Sequence, residues 1–419
     1  MKREYFFAQS NGQSRFDFEQ ASDFRYDIVA TMTTILLHAG KAITPTAEIS
    51  DAGILIRDGV IEAVGARADL ALPAGAIEIK ATDQTAVPGF IDVHIHGAGG
   101  RDVMEGNDEA LSTVARTVAK HGTTSMVATT VTAAPDDIIR SVEGIAHFIT
   151  NQHRSEDPRA EVVGIHYEGP FISTARRGVH PKEWITLPNR DLLDRMVTAA
   201  AGNARILTIA PELLGAMPCI DAARNDGIVV AMGHTDATYE QARAAMAHGA
   251  HHAVHVYNAM RPFSHRDSGV IGAVLTSPEV SAELIADGVH VEEAAMRLLL
   301  QAKGPNCVIL VSDGISATGM PDGQYSLGKF DVNVVNGVAR NSEGNLAGST
   351  LTLDRALRNI VRMGWSLSDT VKMLTANPAK LLGLEFKKGA LRTGADADIV
   401  LLNEALEVTN VWARGVPLN

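Results

Sequence analysis

Between residues 86 and 314 the chain repeats one pattern. A short apolar run ends in a polar residue and is followed by a stretch with apolar positions every three to four residues. Short apolar runs bounded by turn residues read as strands, and the 3.6-residue period reads as helix. The apolar runs are AVPGFIDVHIH, TSMVATTVT, EVVGIHYEG, RILTIAPE, GIVVAMGHT, HAVHVY, VSAELIADG and CVILVSDG; helical stretches such as NDEALSTVARTVAKHG, PDDIIRSVEGIAHFITNQ, TYEQARAAMAHG and VEEAAMRLLLQAKG lie between them. Eight strands in units of roughly 30 to 40 residues predict an α/β fold, a (β/α)8 barrel of the TIM type, with functional groups at the C-terminal strand ends. A doubly wound open sheet competes, but polar residues end nearly every run, as a closed ring requires. No GxGxxG fingerprint follows a strand.

The flanks differ. Short alternating runs (ILLHAGKAI, AGILIRDGVIEAVG, AIEIKA) precede the barrel pattern, and the C-terminal stretch GALRTGADADIVLLNEALEVTNVWARGVPLN has the same texture. Together, residues 32–85 and 389–419 predict a small β-sandwich domain built from both chain ends, around a barrel over 86–388. Residues 1–31 show no clear periodicity and read as an N-terminal extension, with Met32 a candidate alternative start. After the eighth strand, the Gly-, Asn- and Asp-rich residues 315–350 predict a small hairpin over the site, since loops of that length are usually functional. Helical patterns then resume in LTLDRALRNIVRMG and SLSDTVKMLTANPAKLLG.

Composition narrows the classes. No stretch reaches the ~18 apolar residues of a membrane span, and the first 31 residues lack a signal-peptide h-region, so a cytoplasmic protein is expected, with no membrane partner. The two cysteines, Cys219 and Cys307, form no CxxC pair, which argues against a disulfide framework or thiolate cage. A net charge of −12 disfavours nucleic acid. It leaves room for a small anion held by one or two basic side chains, because salt screens charges beyond about 10 Å.

The strand ends carry the candidate chemistry. His94 and His96 are two apart, so on a strand they face one side. The third run ends in Glu168, the fifth in His234, the sixth in His255 and the eighth in Asp313. Period-two parity points each of these inward, as the pairs Met232/His234, Ala253/His255 and Val311/Asp313 share a face. Any one of these histidines alone fits an ordinary hydrogen-bonded core residue. Six coincident placements instead describe a nitrogen and oxygen site suited to zinc, iron, manganese or cobalt.

These residues also carry a resemblance. The segments PGFIDVHIHG, HYEGPF, RRGVHP, AMGHTDATYEQA, HVYNAM, ADGVH, LVSDGISATG, LAGSTLTLDRA, NPAKLLGL and GADADIVLL occur in this order from about residue 34 to the C-terminus. The chain thereby resembles the amidohydrolase superfamily and, within it, the N-acetylglucosamine-6-phosphate deacetylase family.

The resemblance implies that Glu168, His234 and His255 hold a principal divalent ion and that His94 and His96 hold a second, with Glu168 bridging and Asp313 close by. One or two ions per subunit are expected, zinc or iron first, manganese or cobalt as alternatives. Some members lack the two HxH histidines; this chain keeps both. Glu168 stands where other amidohydrolases carry a modified lysine, so none is expected. Asp313 is implied as general base and then acid, and His180 as the group that polarises the substrate. Asn258, Ala259 and His290 are implied to contact the sugar phosphate, with backbone groups of Val179, Leu346, Ala347 and Gly348. Arg266, with His265 assisting and Arg261 as fallback, is expected to grip the phosphate of a neighbouring subunit in a homodimer. The implied activity is hydrolysis of N-acetylglucosamine 6-phosphate to glucosamine 6-phosphate and acetate, in amino-sugar catabolism or cell-wall recycling. The alternatives are the galactosamine epimer or an unphosphorylated N-acetyl sugar, a purine-type deaminase, which HYEGPF and HVYNAM disfavour, and an inactive scaffold, which the complete ligand set disfavours.

Overall fold

The computed structural model describes residues 34–152 and 157–418. The expected N-terminal extension and Met32 lie outside the described residues.

The first described stretch forms β1 (Thr34–Ile43), β2 (Glu48–Arg57), β3 (Val60–Ala66) and β4 (Ile77–Pro88). Asp58 and Gly59 alone join β2 to β3, with φ of 51° and 79°. Both positions are left-handed, as a tight antiparallel hairpin that follows the strand twist requires. Asn336–Gly337 and Arg414–Gly415 repeat the device further on.

Eight parallel strands follow: β5 (Phe90–Ile95), β8 (Thr123–Thr130), β9 (Glu161–Glu168), β10 (Ala204–Ile209), β11 (Val229–Met232), β12 (Ala250–Ala253), β13 (Ser281–Ile285) and β14 (Val308–Val311). A two-rung ribbon, β6 (Gly97–Ala98) and β7 (Arg101–Asp102), follows β5. The connecting helices are α1 (Asp108–Ala119), α2 (Pro135–Asn151), α3 (Arg190–Ala199), α4 (Ala216–Asn225), α5 (Tyr239–His248), α6 (Gly269–Leu275) and α7 (Glu293–Lys303). Neighbours in the sheet are neighbours in sequence. The ring is drawn together where β14 meets β5: the Asp313 N–H donates to His94 O at 2.9 Å and the His96 N–H to Gly314 O at 2.8 Å. Every residue of β8 is buried, as expected of a parallel strand covered on both faces. Gly89, between β4 and β5, is required by close approach, because a Cβ there would meet Thr124 Oγ1 at 2.0 Å.

Beyond the eighth strand the expected small hairpin is a three-stranded antiparallel sheet of β15 (Gly323–Leu327), β16 (Phe330–Val335) and β17 (Val338–Asn341). The Asn336–Gly337 turn supplies the extra strand. The flap packs Leu327, Val332 and Val334 against Val131 and Ile315, and the Gly328 N–H donates to Asp102 Oδ2 at 2.7 Å. Helices α8 (Leu353–Arg362), α9 (Leu367–Leu374) and α10 (Ala376–Leu381) complete the outer layer.

The chain ends in β18 (Ile399–Leu402), β19 (Val408–Ala413) and β20 (Val416–Leu418), which join the first four strands in the order β20-β19-β18-β4-β1-β2-β3. This is one mixed sheet, not two separate ones. It curls over a core that includes Leu37, Ile54, Ile61, Ile399 and Trp412. The outer edge of β3 meets the run into β18, with the Ile61 N–H donating to Ala395 O at 2.8 Å.

Lys388 ties that run to the barrel. Its Nζ lies 2.7 Å from Glu161 Oε2, 3.0 Å from Asp396 Oδ2 and 2.9 Å from Asp398 Oδ2. Burial works against the charge, but Asp398, Glu161 and Asp396 outweigh it and raise the lysine's pKa. Removing one partner of a buried ionic cluster strands the others, typically at about 3–5 kcal/mol. K388M is therefore expected to lower stability by about that amount; an unfolding midpoint unchanged by the substitution, in heat or urea, contradicts this.

Candidate metal and catalytic centre

The six strand-end residues converge at the barrel mouth. His94 lies within β5, and Glu168 is the last residue of β9. His234, His255 and Asp313 each stand two residues past the end of their strand, with φ of 46°, 26° and 49°. The parity argument therefore reached the right direction by the wrong route. Alternation stops at Met232, Ala253 and Val311, and left-handed turns then swing the side chains inward. Tyr257 and Ala259 are left-handed too, so five of the eleven positive-φ non-glycine residues among those described cluster here. Strained backbone collects where a side chain must be aimed.

Glu168 is the hub. Its Oε1 is 2.9 Å from His255 Nε2, 3.1 Å from His234 Nε2 and 3.2 Å from His94 Nε2. Its Oε2 is 3.2 Å from His96 Nε2 and 3.3 Å from His180 Nε2. Asp313 Oδ1 sits 3.2 Å from His96 Nε2.

The far nitrogen of each ring decides what the near one can do. His96 Nδ1 donates to Thr129 O at 2.9 Å, His234 Nδ1 to Arg176 O at 3.0 Å and His94 Nδ1 to Glu283 Oε2 at 2.8 Å. Each of these three rings turns an Nε2 lone pair towards Glu168. His180 is the reverse. Its Nδ1 accepts from the Thr132 N–H at 3.2 Å, so its ring proton sits on Nε2. His180 lies within ligand distance of Glu168 and His234, with its Nδ1 taken up by the Thr132 N–H.

The residues fit a cation. His94 Nε2 is buried with no hydrogen-bond partner, an orphaned lone pair between two carboxylates. The electrostatics point the same way. Burial depresses His96, yet the hydrogen bonds it donates to Asp313 and Glu168 prevail and raise it to about 9. His94 is likewise raised well above the usual range, against its burial, by Glu283 and Glu168. Glu168 is held well below the carboxylate range, against its burial, by His94 and His234. The cluster thus calls for positive charge between its members. Burial depresses His234 to about 4, which keeps that ring an unprotonated ligand. Ligand atoms within 4.8 Å of one another group as His94/Glu168/His255, as His94/His96/Asp313 and as Glu168/His180/His234, so the cluster could hold a metal ion.

Residues missed in the sequence lie below the site. Glu283 on β13 is fully buried; it accepts from His94 Nδ1, from His252 Nε2 at 2.9 Å and from the His255 N–H at 3.1 Å. A carboxylate in the middle of the apolar run VSAELIADG, rather than at its end, was the available signal. His166, two before Glu168 and so on its face, binds Thr208 Oγ1 at 2.7 Å and is pushed down to about 3 by burial.

The cavity above the hub encloses about 150 Å³ and is lined by Val179, His180, Asn258, Ala259, His290, Leu327, Leu346 and Gly348, among others. Ala347 is buried behind that wall, and its N–H is spent on Ala339 O. His290 is steadied by Asp287, whose Oδ2 accepts from its Nδ1 at 2.7 Å. Arg266 and His265 are exposed and do not line this cavity. The fallback Arg261 is held by Asp267 and Asp236.

A barrel mouth with a shared carboxylate, imidazole ligands, a separate N–H donor and a second carboxylate is equipped for metal-assisted hydrolysis. Comparison with known proteins agrees. The amidohydrolase family model matches residues 85–418. N-acetylglucosamine-6-phosphate deacetylase from Lysinibacillus sphaericus is 38% identical over 79% of this chain and 85% of that protein. N-acetylgalactosamine-6-phosphate deacetylase from Escherichia coli O157:H7 is 35% identical over 91% of this chain and 98% of its own length. A mutant of N-acetyl-D-glucosamine-6-phosphate deacetylase from Mycobacterium smegmatis, solved in complex with N-acetyl-D-glucosamine-6-phosphate, superposes with a TM-score of 0.85 at 38% identity, over 92% of this chain and 99% of that one.

Proposed function

We infer from two facts, that the chain belongs to the amidohydrolase family and that Glu168 gathers imidazole ligands at its barrel mouth, that it hydrolyses N-acetylglucosamine 6-phosphate to glucosamine 6-phosphate and acetate. The observation that carries this reading is the division of labour around Glu168: three rings offer Nε2 lone pairs, and a fourth, His180, offers Nε2–H.

When bound by Glu168, His234 and His255, with His94 and His96 available to a second ion, a divalent cation supplies the Lewis acidity that makes water nucleophilic at neutral pH. Zinc or iron suits this nitrogen-rich set best, with manganese or cobalt as alternatives. The remaining steps belong to the chain. His180 donates its Nε2–H to the acetamide oxygen, on which negative charge grows as water adds to the carbonyl carbon. Asp313 takes a proton of that water and delivers it to the sugar nitrogen, so the C–N bond breaks to a neutral amine and acetic acid, which then gives up its proton to solvent as acetate. Asn258, Ala259 and His290 line the cavity where the sugar phosphate lies. Arg266, exposed on its own subunit, reaches the phosphate of its partner in a homodimer, where a guanidinium fork suits a dianion. No helix among the described residues is long and apolar enough to cross a membrane; amino-sugar catabolism or cell-wall recycling in the cytoplasm is the setting proposed.

The galactosamine epimer is the second reading, favoured by the E. coli relative named above. Acetate release from both 6-phosphate epimers and from free N-acetylglucosamine, with metal content measured on the same sample, tests the assignment. Release of ammonia from a purine, or no turnover of any N-acetyl sugar by a metallated sample, overturns it. R266A is expected to raise KM for the phosphorylated substrate on the order of 10- to 100-fold with little change in kcat, given about 1.5–3 kcal/mol for charged hydrogen bonds. Identical KM values with and without the phosphate in the parent protein contradict that role.

A further inference from the structure

Glu283 has no part in the chemistry just described, yet it is the most enclosed acid beneath the site, with no exposed surface. Its two oxygens are fully engaged. Oε2 accepts from His94 Nδ1 at 2.8 Å and from the His255 backbone N–H at 3.1 Å, while Oε1 meets His252 Nε2 at 2.9 Å. His252 is anchored in turn by its Nδ1, 2.8 Å from Ser281 Oγ on the same strand as Glu283.

In the assignment proposed above, the two residues that share Oε2 serve different ions, and their ligand atoms meet at Glu168. His94 comes from the HxH pair on β5, and His255 from the Glu168 and His234 half. They also depend on Glu283 in different ways. His94 needs an acceptor at Nδ1 to present its Nε2 lone pair, and Glu283 is that acceptor. His255 Nδ1 has no partner at all, so nothing fixes this ring from its far side. Apart from its Nε2, 2.9 Å from Glu168 Oε1, the ring is aimed by its backbone, which is held at φ 26° by the bond to Glu283 and by the Asn258 N–H, which donates to His255 O at 3.0 Å. His96 and His234, by contrast, are fixed through main-chain carbonyls and owe nothing to Glu283.

We propose that Glu283 is the positioning residue that locks both halves of the cation site into one geometry, setting the His94 tautomer and the His255 backbone with a single carboxylate oxygen. The proposal rests on the reading of the barrel mouth as a cation site and adds that its two halves are coupled from below. Loss of Glu283 therefore weakens binding in both halves together, whereas a defect at Thr129 or Arg176 touches one.

The test is Co(II) binding to the chelator-stripped full-length protein, followed by visible absorption and by direct metal analysis, for the parent, E283Q and E283A. Outer hydrogen bonds to metal-binding histidines are commonly worth about 10–100-fold in affinity. E283A is expected at the upper end of that range for every ion the parent takes up, with an altered Co(II) spectrum. E283Q keeps an acceptor oxygen and the side-chain volume, so it is expected to recover part of the loss, to about tenfold. Because E283Q preserves packing, it decides the matter if E283A does not fold. A parent that takes up no Co(II) overturns the cation-site reading and the proposal with it. A parent that binds Co(II) while the folded variants match its affinity and spectrum overturns the proposal alone. So does a variant whose only defect is a lower unfolding midpoint without metal.

Discussion

D313N is expected to keep its metal and lose turnover by about 10²–10⁴-fold, the range general acid–base catalysis supplies. An asparagine keeps the size and one oxygen of Asp313, so the contact with His96 Nε2 at 3.2 Å can persist, and Glu168, His234 and His255 are untouched. What disappears is the ability to take a proton from water and return it to nitrogen. The same residue sets a pH dependence. Burial pushes Asp313 up, but the His96 hydrogen bond and the charges of His94 and His96 outweigh it and leave its pKa below the ordinary carboxylate value. A base with a lowered pKa is ready above that pKa and is lost as pH falls through it. The acid limb of kcat/KM is therefore expected below the ordinary carboxylate range, and D313N should lack it. Acetate release and metal content measured together check both points; residual turnover within tenfold of the parent makes another group the base.

E168Q is the second large effect, and it acts earlier. A neutral amide removes the one anion shared by five imidazoles at 2.9–3.3 Å, and its NH2 end presents hydrogens where lone pairs must face a cation. Metal affinity is expected to fall by more than the ~100-fold of outer hydrogen bonds. Turnover is expected to fall at least about 10³-fold, because Lewis-acid stabilisation is worth several kcal/mol and each 1.36 kcal/mol is a factor of ten. The contrast between the two variants is the diagnostic. D313N separates metal from activity and E168Q loses them together, so an E168Q protein with a full metal complement sinks Glu168 as the hub.

The barrel was legible because its strands are buried on both faces, which writes each as a short apolar run. All eight runs became strands in the expected order. Glu168 and the HxH pair were legible for the same reason, as polar residues that break such runs. Other features depend on information that does not lie along the chain. The inward aim of His234, His255 and Asp313 comes from left-handed turns, which no period-two pattern describes. Glu283 acts through His94 on β5 and through His255, two residues past β12, and no local pattern in the sequence pairs it with either. The last helical pattern, read as continuous, breaks at Thr375. Pro378 lacks an N–H and cannot sit in a helix interior, so the chain restarts with the proline in a first turn.

The sheet shared by the two chain ends also governs how the protein is made. β4, ending at Pro88, is flanked by β1 and by β18, which begins only at Ile399. A ribosome adding about 5–20 residues per second delivers the whole barrel before it delivers that partner. The edge of β4 carrying Thr85, Ala86, Val87 and Pro88 therefore stays open throughout elongation. A message cut short before Ile399 yields a chain with that edge permanently bare, a site for pairing with other chains.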